Sequence, residues 1–177
     1  MRFDWRGPRA TVLVFLAASG LYLNTWGHGF HYDDFHSLVN NPHIRTLAEV
    51  PAFFRDPTLF SANPESAMYR PLLLVSYALN YAVGGLQPAG YHLANALLHG
   101  INAGLVHRLL LALGQGGLAL PAAFIFGLSP VNSEAVNYVS SRSELLMASF
   151  FLLACLAHLR GGWVGGAAGA GAGAWRY

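Results

Sequence analysis

The chain contains no lysine: its ten Lys/Arg positions are all arginine, and eight acidic residues leave a formal net charge of +2. Basic groups this few and this scattered cannot form the continuous positive face that nucleic acid requires, so that class of partner is excluded. Charge of either sign is scarce. Only 10% of residues are charged, against about a quarter in a soluble domain, which points away from a water-exposed globule. A single cysteine, Cys155, rules out an internal disulfide, and its apolar neighbours fit a small buried side chain. No zinc-type ligand spacing is present. His31, His36 and His92 could meet Asp33 or Asp34, but no metal or other cofactor is assigned, and a need for a divalent ion is left open.

What is abundant is apolar. Hydrophobic residues make up 54% of the chain, and the expectation is an all-α, polytopic helical membrane protein of about four to five spans. Between Arg9 and Asp33 no residue is charged, and Ala10 to Gly27 approaches the roughly 20 residues needed to cross the hydrocarbon core. Arg2, Arg6 and Arg9 precede this first span, so the chain starts on the cytoplasmic side and emerges outside. A cleaved signal peptide is the competing reading. The absence of a clear small-x-small site before Trp26 and the further spans favour an uncleaved anchor.

Residues 28–70 then form a large outer loop punctuated by Pro42, Pro51, Pro57 and Pro64, long enough to carry function. Thr46 is placed to cap a short helix, with Pro51, Phe53, Phe54 and Phe60 lying along the membrane interface. From Pro71 to His107 no Asp, Glu, Lys or Arg occurs. Residues 72–84 read as an interfacial helix, being short for a span and having Ser76, Tyr77, Asn80 and Tyr81 on one face. Gly84, Gly85 and Pro88 break the chain, and further spans follow near 91–113, 118–131 and 145–159. Residues 1–160 thus form the transmembrane region. The Gly/Ala-rich tail, 161–177, has the composition of the start of a further span.

Polar residues inside such spans are costly and therefore informative. His92, Asn95, His99 and Asn102 follow 3-4-3 spacing, which sets them on one stripe of a helix. That stripe can bond to neighbouring helices, with Ala96, Gly100 and Ala103 allowing close approach, or it can line a site at its His92 end. Arg45, Arg55, Arg70 and Arg142 fall outside in this topology, where each can pair with a carboxylate or serve an anionic headgroup. Residues 130–145 have helical spacing, with Glu134, Tyr138 and Arg142 on one face.

Several motifs occur in a particular order. They are Tyr32-Asp33-Asp34, Asn40-Asn41-Pro42, Tyr69-Arg70-Pro71-Leu72, Gly90-Tyr91-His92-Leu93-Ala94-Asn95 with Leu98-His99, Ser129-Pro130-Val131-Asn132-Ser133-Glu134-Ala135-Val136, and Ser141-Arg142-Ser143-Glu144-Leu145-Leu146. In that order, over about residues 25 to 150, the chain resembles the N-terminal membrane region of the transmembrane and tetratricopeptide-repeat O-mannosyltransferase family, which are GT-C type glycosyltransferases. It departs from the family where Ser129-Pro130-Val131-Asn132 stands in place of His-Pro-Val-His, and it carries neither the later spans nor the tetratricopeptide repeats.

The resemblance implies transfer of a sugar, such as mannose, from a polyprenyl-phosphate donor to a protein or glycan hydroxyl, with inversion, outside the cell membrane. Arginine without lysine and abundant Ala and Gly suggest a GC-rich bacterial genome, hence a bacterial inner membrane. Asp33 is then the expected base and Asp34 its orienting neighbour, or the reverse. Arg70 and Arg142 are the donor-phosphate candidates, and His92, Glu134, Tyr69 and Tyr138 would shape the sugar or acceptor pocket. Different classes compete: a non-enzymatic transporter part or assembly subunit, an intramembrane serine protease built on Ser129 and His99 but lacking a nucleophile frame, and an aspartate-rich prenyltransferase lacking a third carboxylate.

Overall fold

The computed structural model describes residues 4–161, and among these there are helices and turns but no strand. Seven α-helices follow in order: α1 (Pro8–Leu21), α2 (Val50–Phe53), α3 (Pro71–Gly84), α4 (Pro88–Ala112), α5 (Ala119–Leu128), α6 (Ser133–Asn137) and α7 (Arg142–Gly161). Proline opens α1, α3 and α4, where its missing N–H costs nothing. Gly85, at φ +59°, ends α3 and returns its N–H to the Tyr81 carbonyl, a conformation open to glycine alone at little cost. The tract from 162 onward lies outside the described residues.

The bundle is organised on α4, which packs against α1, α5 and α7. Its polar stripe faces these neighbours rather than a channel. His99 Nε2 lies 2.9 Å from the Gly127 carbonyl, Asn102 donates to the Leu145 carbonyl at 2.9 Å, and Ser149 donates to Asn102 Oδ1 at 2.6 Å. His107 reaches Thr11 at 2.9 Å. Each such bond is worth about 0.6–2 kcal/mol inside a bilayer. Small residues allow the approach: a Cβ on Gly100 would overlap Ser19 Oγ, and one on Gly127 would sit 2.9 Å from the Ala18 Cβ.

The opposite faces are apolar and bare. Val12, Leu13 and Leu16 on α1, Ile125 on α5, and Met147, Phe150 and Phe151 on α7 are all exposed. Water does not favour such a surface, whereas lipid does. Two stretches, Pro8–Gly27 and Val139–Arg160, are long and apolar enough to cross a membrane. The third span expected at 118–131 is the 10-residue α5, about 15 Å long and half the roughly 30 Å core.

The loop of residues 28–70 folds into a layer packed on α3. Phe53 and Phe60 were expected to lie along the interface. Instead they are buried with Leu38, Ile44, Leu73, Leu74 and Tyr77, so α3 and the loop share one core, while Phe54 stays exposed. Asn41 ties the loop together: its Nδ2 lies 3.0–3.1 Å from the carbonyls of Ser37, Leu59 and Phe60, and its Oδ1 accepts the His43 N–H. Thr46 Oγ1 caps the turn before α2 by accepting the Ala48 N–H.

The continuous helix expected over 130–145 is broken. The chain is helical at α6, extended at Tyr138 (ψ 118°), and helical again from Arg142. Asn95 explains the break, since its Nδ2 reaches the carbonyls of both Val136 (3.2 Å) and Tyr138 (3.3 Å). Glu134 and Arg142 therefore do not share a helix face. The bend instead presents Tyr138 and Ser140 to the loop.

Candidate functional site

The two adjacent carboxylates are separated by their environments. Asp34 is 1% exposed and holds three donors: the His31 N–H at 2.9 Å, the Ser140 N–H at 2.8 Å and the Ser140 hydroxyl at 2.5 Å. It is a clamp between the loop and the bend at residues 138–141, and it has no face free for a ligand. Asp33 points the other way, with 67% of its side chain exposed and its Oδ1 3.5 Å from His36 Nε2. Its own N–H donates to Tyr138 Oη at 2.9 Å, and its carbonyl accepts the Ser37 hydroxyl at 2.7 Å.

This arrangement strains the chain. Tyr32, just before Asp33, sits at φ +43°, the one non-glycine residue in the left-handed region among those described. Such a backbone costs about 1–3 kcal/mol and persists only where the surroundings over-determine it. Here the Asp34 clamp on either side of Tyr32 supplies that constraint.

Three clefts surround the tip of the loop at residues 32–33. Asp33, Arg70 and Ser140 together line two of them, of about 460 and 330 Å³. The larger of these also takes in Tyr138, Ser143 and Glu144, the smaller His36, Ser37 and Phe60. A third, of about 470 Å³, lies against His28, His31, Tyr32, Ser133, Glu134, Asn137 and Tyr138. Tyr138 thus stands between the arginine side and the histidine side. Partial burial pushes its phenol above the usual value, so at neutral pH the hydroxyl keeps its proton.

Arg70 is exposed at the start of α3, with its guanidinium 5.8 Å from the centre of the Phe60 ring and Nη1 3.4 Å from Ser143 Oγ. Among the described residues no carboxylate pairs with it. A planar cation with no carboxylate partner and an exposed carboxylate lining the same clefts suit a ligand carrying both a phosphate and a reacting hydroxyl.

Arg142 is not in these clefts, which corrects its expected contact with a phosphate. It is 1% exposed, and each of its three nitrogens is engaged: Nε with Asn95 Oδ1 at 2.7 Å, Nη1 with Asn80 Oδ1 at 2.7 Å, and Nη2 with the Tyr91 carbonyl at 2.9 Å. The rings of Tyr77 and Tyr91 flank it at 5.1 and 5.5 Å. It joins α3, α4 and α7 directly beneath the bend.

The remaining expected residues are dispersed. Glu134 is exposed on the third cleft and Tyr138 lines two clefts. His92 is buried behind the tip, its Nε2 3.4 Å from the Gly29 carbonyl and its ring edge-on to His28 at 6.0 Å. Tyr69 lines none of the three clefts and donates to the Phe54 carbonyl at 3.2 Å. Sequence reasoning missed Ser140 and Asn41 as parts of the site, whereas His36, expected within reach of Asp33, does lie beside it. Asn41 stands in a quoted motif, but the role of Ser140 exists only through contacts across the fold. Among the described residues no group of three or more His, Cys, Asp or Glu could hold a metal.

No family model matches the chain, and no solved structure matches it. Curated proteins do. The chain is 40% identical over 146 residues to protein O-mannosyl-transferase tmtc2 of Xenopus laevis and 38% identical over 146 residues to TMTC2 of Mus musculus. It is also 38% identical over 148 residues to Tmtc1 of Drosophila melanogaster. Its curated homologues are TMTC protein O-mannosyl-transferases. Each of these three matches covers 79% of this chain but only 17% of the relative's length.

Proposed function

We propose that this chain forms part of a membrane glycosyltransferase that moves a sugar, mannose by the names of its relatives, from a polyprenyl-phosphate donor to a hydroxyl of a protein or glycan, with inversion. One observation carries the reading. Asp33 and Arg70, an exposed carboxylate and an exposed guanidinium with no ion pair between them, line the same two clefts. The relatives named as O-mannosyl-transferases support the class of reaction.

The acceptor oxygen attacks the anomeric carbon while the bond from that carbon to the phosphate oxygen breaks. The polyprenyl phosphate leaves with the electron pair, and Asp33 takes the acceptor proton. Charge builds on the leaving phosphate, where Arg70 offers donors held in a fixed plane. Asp34 acts through position alone, since its carboxylate is engaged with Ser140 and His31. Arg142 supports the bend from beneath. Glu134 and Tyr138 shape the pocket for sugar or acceptor, His92 backs it, and Tyr69 holds the loop at its rim.

In this reading the amino terminus is cytoplasmic and the clefts open outside a multi-pass membrane protein of the bacterial inner membrane. A transporter part or an assembly subunit is less favoured, because the polar stripe of α4 that would conduct is engaged in interhelical bonds.

The test is Asp33→Asn, assayed for mannose transfer from polyprenyl phosphate to a Ser/Thr peptide. A loss of about 10²–10⁴-fold is expected from removing a general base, with unfolding unchanged because the side chain is exposed. Unaltered transfer in Asp33→Asn and in the double variant with Asp34→Asn would sink the assignment.

A further inference from the structure

The cleft on the histidine side of Tyr138 has a chemistry unlike that on the Arg70 side. No arginine or lysine is among the described residues that line it. Its carboxylate, Glu134, is exposed and forms no ion pair among the described residues. Asn137, on the same short helix, lines the same cleft with its Oδ1 turned inward and buried. A phosphate is repelled by the Glu134 carboxylate, whereas a cationic group pairs with it.

Tyr138 connects this cleft to the reacting carboxylate. It lines the histidine-side cleft and the larger arginine-side cleft, and its Oη accepts the N–H of Asp33. A chain laid along Glu134 and Asn137 therefore ends beside Asp33. Tyr32, 86% exposed and held at its left-handed φ by the clamp on its neighbours, gives that chain an aromatic surface to lie on.

We propose that Tyr138 divides the two substrates: the lipid phosphate lies on the Arg70 side, and the histidine-side cleft binds the acceptor, a peptide segment whose hydroxyl residue neighbours a basic side chain. The basic group pairs with Glu134, beside Asn137 on the wall of the cleft. This rests on the transferase reading and names its acceptor. A neutral glycan would leave the Glu134 carboxylate without a partner.

The test uses the full chain in lipid nanodiscs with two short fluorescein-labelled peptides. They share one threonine and differ in a single neighbouring position, Arg or Gln. Wild-type protein is expected to bind the Arg peptide about two- to fivefold more tightly, the span of an exposed ion pair, and added salt should shrink the difference. Glu134→Gln should abolish the preference, bringing the two peptides to equal affinity. Arg70→Gln should weaken binding of polyprenyl phosphate and leave the preference intact.

Equal binding of the two peptides to wild type, absence of binding by both, or a preference that follows Arg70 rather than Glu134 would overturn the assignment. Transfer from polyprenyl-phosphate mannose is followed in the same samples. Transfer without a Glu134-dependent preference refutes the acceptor assignment alone. A preference that persists where no transfer can be driven refutes the transferase reading.

Discussion

Replacing Arg142 by lysine separates two roles that a basic residue at this point in the chain can play. If the side chain met a phosphate, lysine would keep the charge and leave stability untouched. The contacts predict otherwise. The guanidinium reaches Asn95 Oδ1, Asn80 Oδ1 and the Tyr91 carbonyl from three separate nitrogens, with Ser76 O and Oγ at 3.3 Å from Nη1. A lysine ammonium donates from one point and cannot span these acceptors on α3 and α4 together, so one or two of them lose their partner. Each orphaned buried acceptor costs about 1–3 kcal/mol, and the lost stacking between Tyr77 and Tyr91 adds about 1 kcal/mol.

Arg142→Lys should therefore unfold about 3 kcal/mol more easily, and Arg142→Ala about 3–5 kcal/mol more easily, the range for leaving buried partners uncompensated. Denaturant titration of the detergent-solubilised protein, followed by tryptophan fluorescence, measures this. Donor affinity is read alongside. A lysine variant within about 0.5 kcal/mol of wild type, or one that loses only affinity for polyprenyl phosphate, would refute the reasoning and return Arg142 to the donor site.

Further consequences can be measured independently. Asp34→Asn keeps one acceptor oxygen but turns an amide N–H toward the His31 N–H or the Ser140 N–H, so a loss of about 2 kcal/mol is expected in the same titration; a wild-type midpoint would show that the clamp bears no load. Gly100→Ala should cost about 1–3 kcal/mol, because its Cβ overlaps Ser19 Oγ and comes within 2.8 Å of the Phe15 carbonyl, while Gly104→Ala, whose nearest neighbour is the Thr11 methyl at 3.3 Å, should cost less. Equal thermal shifts for the two would contradict the α1–α4 packing. In a Cys155→Ser background, a cysteine at Asn40 should label with an impermeant maleimide in intact cells, whereas one at Gln115 should label only after permeabilisation. Labelling of both from one side would overturn the proposed topology.

The all-helical architecture was legible because its cause is local: uncharged runs, proline at helix starts and glycine at breaks act within a few residues. The 3-4-3 stripe was legible too, since helical period alone places His92, Asn95, His99 and Asn102 together, and the contacts explain what the stripe does. The Asp33-Asp34 pair could be picked out from its position after an apolar run and from its order among the other motifs. Which carboxylate faces the cleft could not. Adjacent residues have the same composition around them, and they differ only because Ser140, more than a hundred positions later, offers its N–H and hydroxyl to Asp34.

The same holds for the two arginines. Both stand near ends of apolar runs, yet Arg70 meets open clefts and Arg142 is enclosed by Asn80, Tyr91 and Asn95. Helical periodicity over 130–145 failed at Tyr138 because Asn95 on another helix captures the carbonyls that a continuous helix would have used. Phe53 and Phe60 likewise looked fit for the membrane interface, but a core shared with α3 was nearer. The sequence alone determined which segments are helical and apolar, since propensity and hydropathy are properties of neighbours in the chain. Tertiary structure alone decided which charges are buried and which are free to react, because burial and hydrogen-bond satisfaction depend on partners that only folding brings together.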